Sequence, residues 1–165
     1  MSIFGQTRTI VANRHALIAP DGHVPSTFPG WKNATAFVII SPAMGADLSQ
    51  IRVTFDVAGG SAVFPGDDNE HVIYVEAGEC EIELADKSIS LTHDGYIFIP
   101  SETNFSITGN DETRLTLFRK IFEFQPGLGA PPLIHGLASN VPGEPFLGNP
   151  RARLQTLLPI DPRYD

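Results

Sequence analysis

Any chemistry in this chain has to come from its five histidines, nineteen acidic residues and one cysteine. His15, His23, His93 and His135 are scattered, and none stands at a metal-ligand spacing from another. His93, followed by Asp94 and Gly95, reads as a turn residue. Glu79, Glu81 and Glu83 share one face of a strand at spacing two, and three like charges could draw a cation. Their alternation with Cys80, Ile82 and Leu84 is also what a half-buried strand with a solvated outer face requires, and that is the simpler reading. Cys80 sits inside this alternation without a histidine at a recognisable offset, so it reads as a buried structural thiol rather than a nucleophile. No Gly-rich phosphate loop, serine nucleophile elbow or HExxH pattern occurs. Polar residues near strand ends, Arg14, Asp21, Asp67, Asp68, Glu70, Tyr74 and Glu102, are candidates to line a barrel mouth, where converging polar groups bind small ligands.

The elements that would position them are strands. Ile51, Val53, Phe55 and Val57 alternate with Arg52, Thr54 and Asp56 until Gly59-Gly60, where the strand is expected to stop. Further runs are expected at His15–Ala19, Ala36–Ser41, Val72–Glu76, Glu79–Leu84, Ser88–Leu91, Tyr96–Ile99, Phe105–Thr108 and Arg114–Phe124. Turn signals such as Pro20-Asp21-Gly22, Ala77-Gly78 and Gly109-Asn110-Asp111 separate them. No segment of useful length has a helical period. Short strands joined by tight turns predict an all-β, antiparallel barrel or jelly roll over residues 1–125. Residues 126–165 differ. Eight of the fourteen prolines lie there, and proline cannot donate to a sheet ladder, so this tail is expected to be an extended linker outside the central sheet. Its apolar residues, Leu128, Leu133, Ile134, Leu137, Phe146, Leu154, Leu157, Leu158 and Ile160, need cover on the chain's own barrel or on a neighbour. A homo-oligomer, most simply a twofold dimer, is therefore expected.

A length of 165 residues suits one domain with a self-sufficient core. A net charge of −8 repels phosphate backbones, which argues against nucleic acid as a partner. The longest strongly apolar run, Ala36–Ile40, is far short of a membrane span, and nothing apolar follows Arg8 or Arg14 as a secretory signal requires. A cytoplasmic protein is expected.

Glu70-His71-Val72-Ile73-Tyr74-Val75-Glu76-Ala77-Gly78 and Asp94-Gly95-Tyr96-Ile97-Phe98-Ile99-Pro100 resemble the two motif strands of a cupin. Ala12–Gly22, Ser41-Pro42-Ala43-Met44-Gly45-Ala46 and Leu157-Leu158-Pro159 resemble the first of the two barrels of the (S)-ureidoglycine aminohydrolases, cupins of allantoin and purine catabolism. The resemblance implies a hydrolase that converts ureidoglycine to ureidoglycolate and ammonia with a divalent metal, Mn, held in a second barrel. It places no catalytic residue on this chain. A cupin metal site needs three imidazoles and a carboxylate, a donor set suited to Mn, Fe, Ni or Zn. Pro65, Asp67 and Phe105 stand here where histidines are required. His71 and Glu70 alone make a poor site, so no catalytic or metal residue is assigned and no cofactor is expected in this chain. Asp67, Glu70, His71, Tyr74, Glu102 and Phe105 remain as candidates to line a pocket. The expected role is a non-catalytic cupin domain, with a free-standing metal-free module for small-ligand binding or oligomerisation as the alternative.

Overall fold

A computed structural model describes residues 10–12, 15–19 and 22–164. The expected stretch around Arg14 and Asp21 lies outside the described residues. β1 (Ile10–Ala12) and β2 (His15–Leu17) form a ribbon of their own. β3 (Pro25–Ser26) pairs with β4 (Trp31–Ile40), and β4 with β5 (Leu48–Ser61). β6 (Asn69–Ala77), β7 (Glu79–Leu84), β8 (Ser88–Thr92), β9 (Gly95–Ile99), β10 (Phe105–Gly109) and β11 (Arg114–Ile121) follow where alternation places strands. β12 (Ile134–Leu137), β13 (Gly143–Phe146) and β14 (Asn149–Gln155) complete the chain. The described helical turns are three-residue 3₁₀ segments such as Pro42–Met44.

The main sheet runs β12-β9-β6-β11-β5-β10-β7-β8, with β4 also on β5 and every pairing antiparallel. β5 explains its curvature. Its first half, Leu48–Thr54, pairs with β11, while Gly59 and Gly60 pair with β10. One long strand thus belongs to both walls, and the sheet curls into a half-barrel. The inner face holds Ile51, Val53 and Phe55 from β5, Ile73 and Val75 from β6, and Leu115 and Leu117 from β11, all buried. Each such side chain contributes roughly 1.5–3 kcal/mol when fully withdrawn from water.

β5 does not stop at Gly59-Gly60, because these glycines are where two backbones and a ring approach closely. A Cβ on Gly59 would lie 2.6 Å from the Asn33 carbonyl oxygen and 2.7 Å from the Phe55 ring. Ala58, with φ of 54°, breaks the alternation, and Val57 is left 68% exposed instead of joining the core. β7 follows the expected pattern: Cys80 and Ile82 are buried, and Glu79, Glu81 and Glu83 are exposed. The tail is not the extended linker outside the central sheet that its prolines suggest: among its described residues β12 joins the large sheet at its edge on β9, and β13 and β14 form a separate ribbon. Tyr164 stands edge-on to Phe98 at 5.0 Å and donates a hydrogen bond to the Pro132 carbonyl. The tail therefore covers the outer side of β9. That is why all five residues of β9 are buried although strand geometry turns Tyr96 and Phe98 away from the barrel interior.

Candidate functional site

Strand parity gathers one set of chemically distinct residues at a single end of the barrel. His71 follows the same alternation as Ile73 and Val75, so it faces inward at the start of β6. It stands opposite Ile99 of β9 on one side and Arg119 of β11 on the other. Arg119 shares the inward parity of Leu115 and Leu117 but lies at the rim, with its side chain 43% exposed. Phe105 opens β10 and is buried. Across from it, Phe64 reaches in from the segment between β5 and β6. Phe64 and Phe105 exchange backbone hydrogen bonds at 2.7 and 3.3 Å.

The enclosure so formed is aromatic. Phe64 stacks on Phe105 at 4.6 Å between centroids, and both meet the His71 ring edge-on, at 5.6 and 5.0 Å. Trp31 stacks on Phe55 at 5.6 Å and stands edge-on to Phe64 at 5.9 Å. Such pairs stabilise by about 0.5–1.5 kcal/mol each beyond the area they bury. His71 is 3% exposed, and its Nε2 has no hydrogen-bond partner. A buried polar atom left unsatisfied costs about 1–3 kcal/mol. Burial pushes the imidazole down to a pKa of about 4, and the positive charge of Arg119 adds to this against the opposing pull of Asp67. At neutral pH the ring is uncharged.

Asp67 sits beside this enclosure. Burial acts to raise its pKa, but hydrogen bonds from Asn69 and the guanidinium of Arg119, 2.8 Å away, hold the carboxyl below its usual range. Glu102 contributes its backbone: its N–H donates to the Asp67 carbonyl at 2.8 Å. Glu70 and Tyr74 are not in this enclosure. They lie on the opposite face of β6 from His71, where Tyr74 donates a 2.5 Å hydrogen bond to Asp94. That bond holds the Asp94 carboxyl down and the Tyr74 hydroxyl up. Of the pocket candidates, then, Asp67, His71, Phe105 and the backbone of Glu102 come together. Trp31, Phe64 and Arg119 join them without having been foreseen. The parity of β11 could have signalled Arg119; nothing local marks the other two.

These residues do not fit a metal. One imidazole converges here, Asp67 is engaged by Arg119, and Phe105 offers no lone pair. Among the described residues no three His, Cys, Asp or Glu side chains converge to hold an ion. Cys80 is 4% exposed, and burial pushes its thiol up to about 12. The opposite end of the barrel carries an open depression of about 800 Å³ lined by Glu79, His93, Asp111 and Glu112 among others. Polar groups there bond to one another. Asn110 donates to Glu79 at 2.9 Å, and the His93 ring contacts the Glu76 carbonyl at 2.9 Å.

No family model matches the chain. A protein of Oryza sativa subsp. japonica named a probable (S)-ureidoglycine aminohydrolase is 30% identical to it over 98% of the chain and 52% of that relative. The (S)-ureidoglycine aminohydrolase of Escherichia coli is 27% identical over 99% of the chain and 66% of its own length. The chain thus spans about half the length of the plant relative. Among solved structures, protein Ylba of Escherichia coli superposes with a TM-score of 0.83 and 26% identity, over 96% of this chain and 64% of that one. The cupin domain of Schizosaccharomyces pombe Cnp3, at 11% identity, shares the fold with a TM-score of 0.53 over 70% of this chain and 85% of its own. By fold the chain is a cupin, and by sequence it is a homologue of the (S)-ureidoglycine aminohydrolases along nearly its whole length.

Proposed function

We propose that this chain serves as the non-catalytic cupin barrel of an (S)-ureidoglycine aminohydrolase-like protein. The reaction would be hydrolysis of ureidoglycine to ureidoglycolate and ammonia, within purine and allantoin breakdown in the cytoplasm. The observation that carries the reading is the barrel mouth. Where a cupin gathers imidazoles, this one stacks Phe64 on Phe105 against a single uncharged histidine. The divalent metal, Mn by family resemblance, and the groups that act on substrate would stand in a second barrel. The unmatched part of the relatives leaves room for one. In this reading the barrel contributes stability and assembly surface. Phe146, Leu147, Leu154 and Ile160 of the tail are 46%, 89%, 56% and 97% exposed, an apolar surface that favours a homo-oligomer or a docked second barrel. No described helix is long and apolar enough to cross a membrane.

Ammonia release tests the proposal. The purified chain, with Mn added, should not exceed the spontaneous rate of ammonia release from ureidoglycine. A metal-dependent rate from this chain alone would overturn it. The unsatisfied Nε2 of His71 favours a second reading, a module that holds a small molecule without chemistry.

A further inference from the structure

The imidazole of His71 carries into the closed barrel a polar atom that the barrel does not satisfy. Its Nε2 is buried without a partner, and its ring is 3% exposed. The ring of Phe64 packs edge-on against it and is itself only partly buried. Phe64 belongs to a segment outside the strands and pairs with the sheet through an isolated bridge to Phe105. Its neighbours Ala62, Val63, Pro65 and Gly66 are all exposed. Backbone bonds fix both ends of the segment, the Ala62 N–H to the Gly30 carbonyl at 2.6 Å and the Phe122 N–H to the Asp68 carbonyl at 2.7 Å, and between them lie three latches: the bridge itself, the Gly66 N–H to Asn104 Oδ1 at 2.7 Å, and the Glu102 N–H to the Asp67 carbonyl at 2.8 Å. The Arg119–Asp67 ion pair, 2.8 Å long and open to water on both sides, adds a fourth.

We infer that Phe64 is the plug of a ligand slot, and that swinging it out admits a small planar carboxylate that stacks on Phe105, hydrogen-bonds to His71 Nε2 and pairs with Arg119. Each element of that description follows from a wall of the slot. The Phe64 ring lies parallel to Phe105 within 9° at 4.6 Å, so the space it vacates is one ring thick and takes a flat molecule. Trp31, edge-on to Phe64 at 80° and 5.9 Å, bounds the slot on another side. His71 supplies one buried hydrogen-bonding nitrogen and, with its pKa near 4, no charge at neutral pH. Arg119 supplies the charge. A ligand carboxylate can take the place of Asp67 on the guanidinium, so the pairing is exchanged rather than lost when the Asp67 segment lifts. A cationic ligand would meet Arg119, and a purely apolar one would leave Nε2 as it is.

The inference rests on the reading of a metal-free mouth, and the experiment separates the two. Benzoate is titrated into the full chain with EDTA present, followed by calorimetry and by the Trp31 indole and His71 ring resonances. Benzamide and cyclohexanecarboxylate serve as the uncharged and non-planar controls. Benzoate should perturb both resonances and bind at least about tenfold more tightly than either control. Asn104→Ala loosens a latch outside the slot and Phe64→Ala removes the plug, so each should tighten benzoate by about tenfold or more through the larger open population. Arg119→Gln should abolish the preference for benzoate over benzamide. The slot is refuted if neither Asn104→Ala nor Phe64→Ala binds benzoate at about 10 mM with or without EDTA. An unchanged preference for benzoate over benzamide in Arg119→Gln, or shifts that miss Trp31 and His71, refutes it equally. Should Phe64→Ala fail to fold, Asn104→Ala decides alone. Binding that EDTA removes would instead overturn the metal-free reading.

Discussion

Acidification should weaken this barrel through one residue. His71 titrates near 4 when folded and near 6.5 when unfolded. Between those values the unfolded chain takes up a proton that the folded one refuses, so stability falls as pH drops. The contribution of the neutral ring is complete above pH 6.5 and gone below pH 4. The full difference is about 3 kcal/mol, and about 2 kcal/mol of it is lost between pH 7.5 and pH 5. Because the side chain is 3% exposed, solvent screening takes little from these figures. The assay is urea unfolding of the parent and of His71→Leu at both pH values. Subtracting the variant removes the carboxylates common to both. At pH 7.5 His71→Leu should be as stable as the parent or more so, by up to about 1–3 kcal/mol, since it deletes an unsatisfied polar atom. At pH 5 the advantage of the variant should have grown by about 2 kcal/mol. Parallel loss of stability in the two proteins, or a His71 ring resonance that titrates near 6.5, would refute the buried, unpartnered placement of this ring.

Three other outcomes follow from the packing. Gly109→Ala should destabilise by about 1–3 kcal/mol in thermal unfolding, because the added Cβ would overlap the buried Phe55 ring and force it to shift. Cys80 should not react with a thiol reagent at pH 8 until urea opens the fold, given its burial and its pKa pushed up to about 12. The full chain should sediment as a homo-oligomer at tens of micromolar, whereas one ending at Gln125 should lose that state and expose Phe98; a monomer unaffected by truncation would remove the tail from any assembly role.

Alternation made the strands legible, since a period of two with one buried face leaves little freedom of register. It placed Cys80 inward and Glu79, Glu81 and Glu83 outward, as observed. It failed at Gly59-Gly60, where glycines that look like a stop signal instead permit close backbone approach within one long strand. The missing histidines at Pro65, Asp67 and Phe105 were visible in the sequence, but what replaces them was not. Phe64, Trp31 and Phe55 come from separate segments and meet through the pairing of β4 on β5 and the bridge of Phe64 to Phe105. Adjacency also misled: Glu70 and His71 are neighbours in sequence and face opposite sides of β6. The tail's prolines suggested an extended linker outside the sheet, but β12 pairs on β9 and β13 with β14, because the outward side chains of β9 offer an apolar face that the tail covers.

The central claim is that aromatic packing has replaced metal ligation in this barrel. Manganese binding tests it most directly. With the chain at tens of micromolar, the electron paramagnetic resonance signal of added Mn(II) should remain that of the free aquo ion, and His71→Ala should change nothing. One ion bound per chain at micromolar affinity, and lost in His71→Ala, would contradict the account.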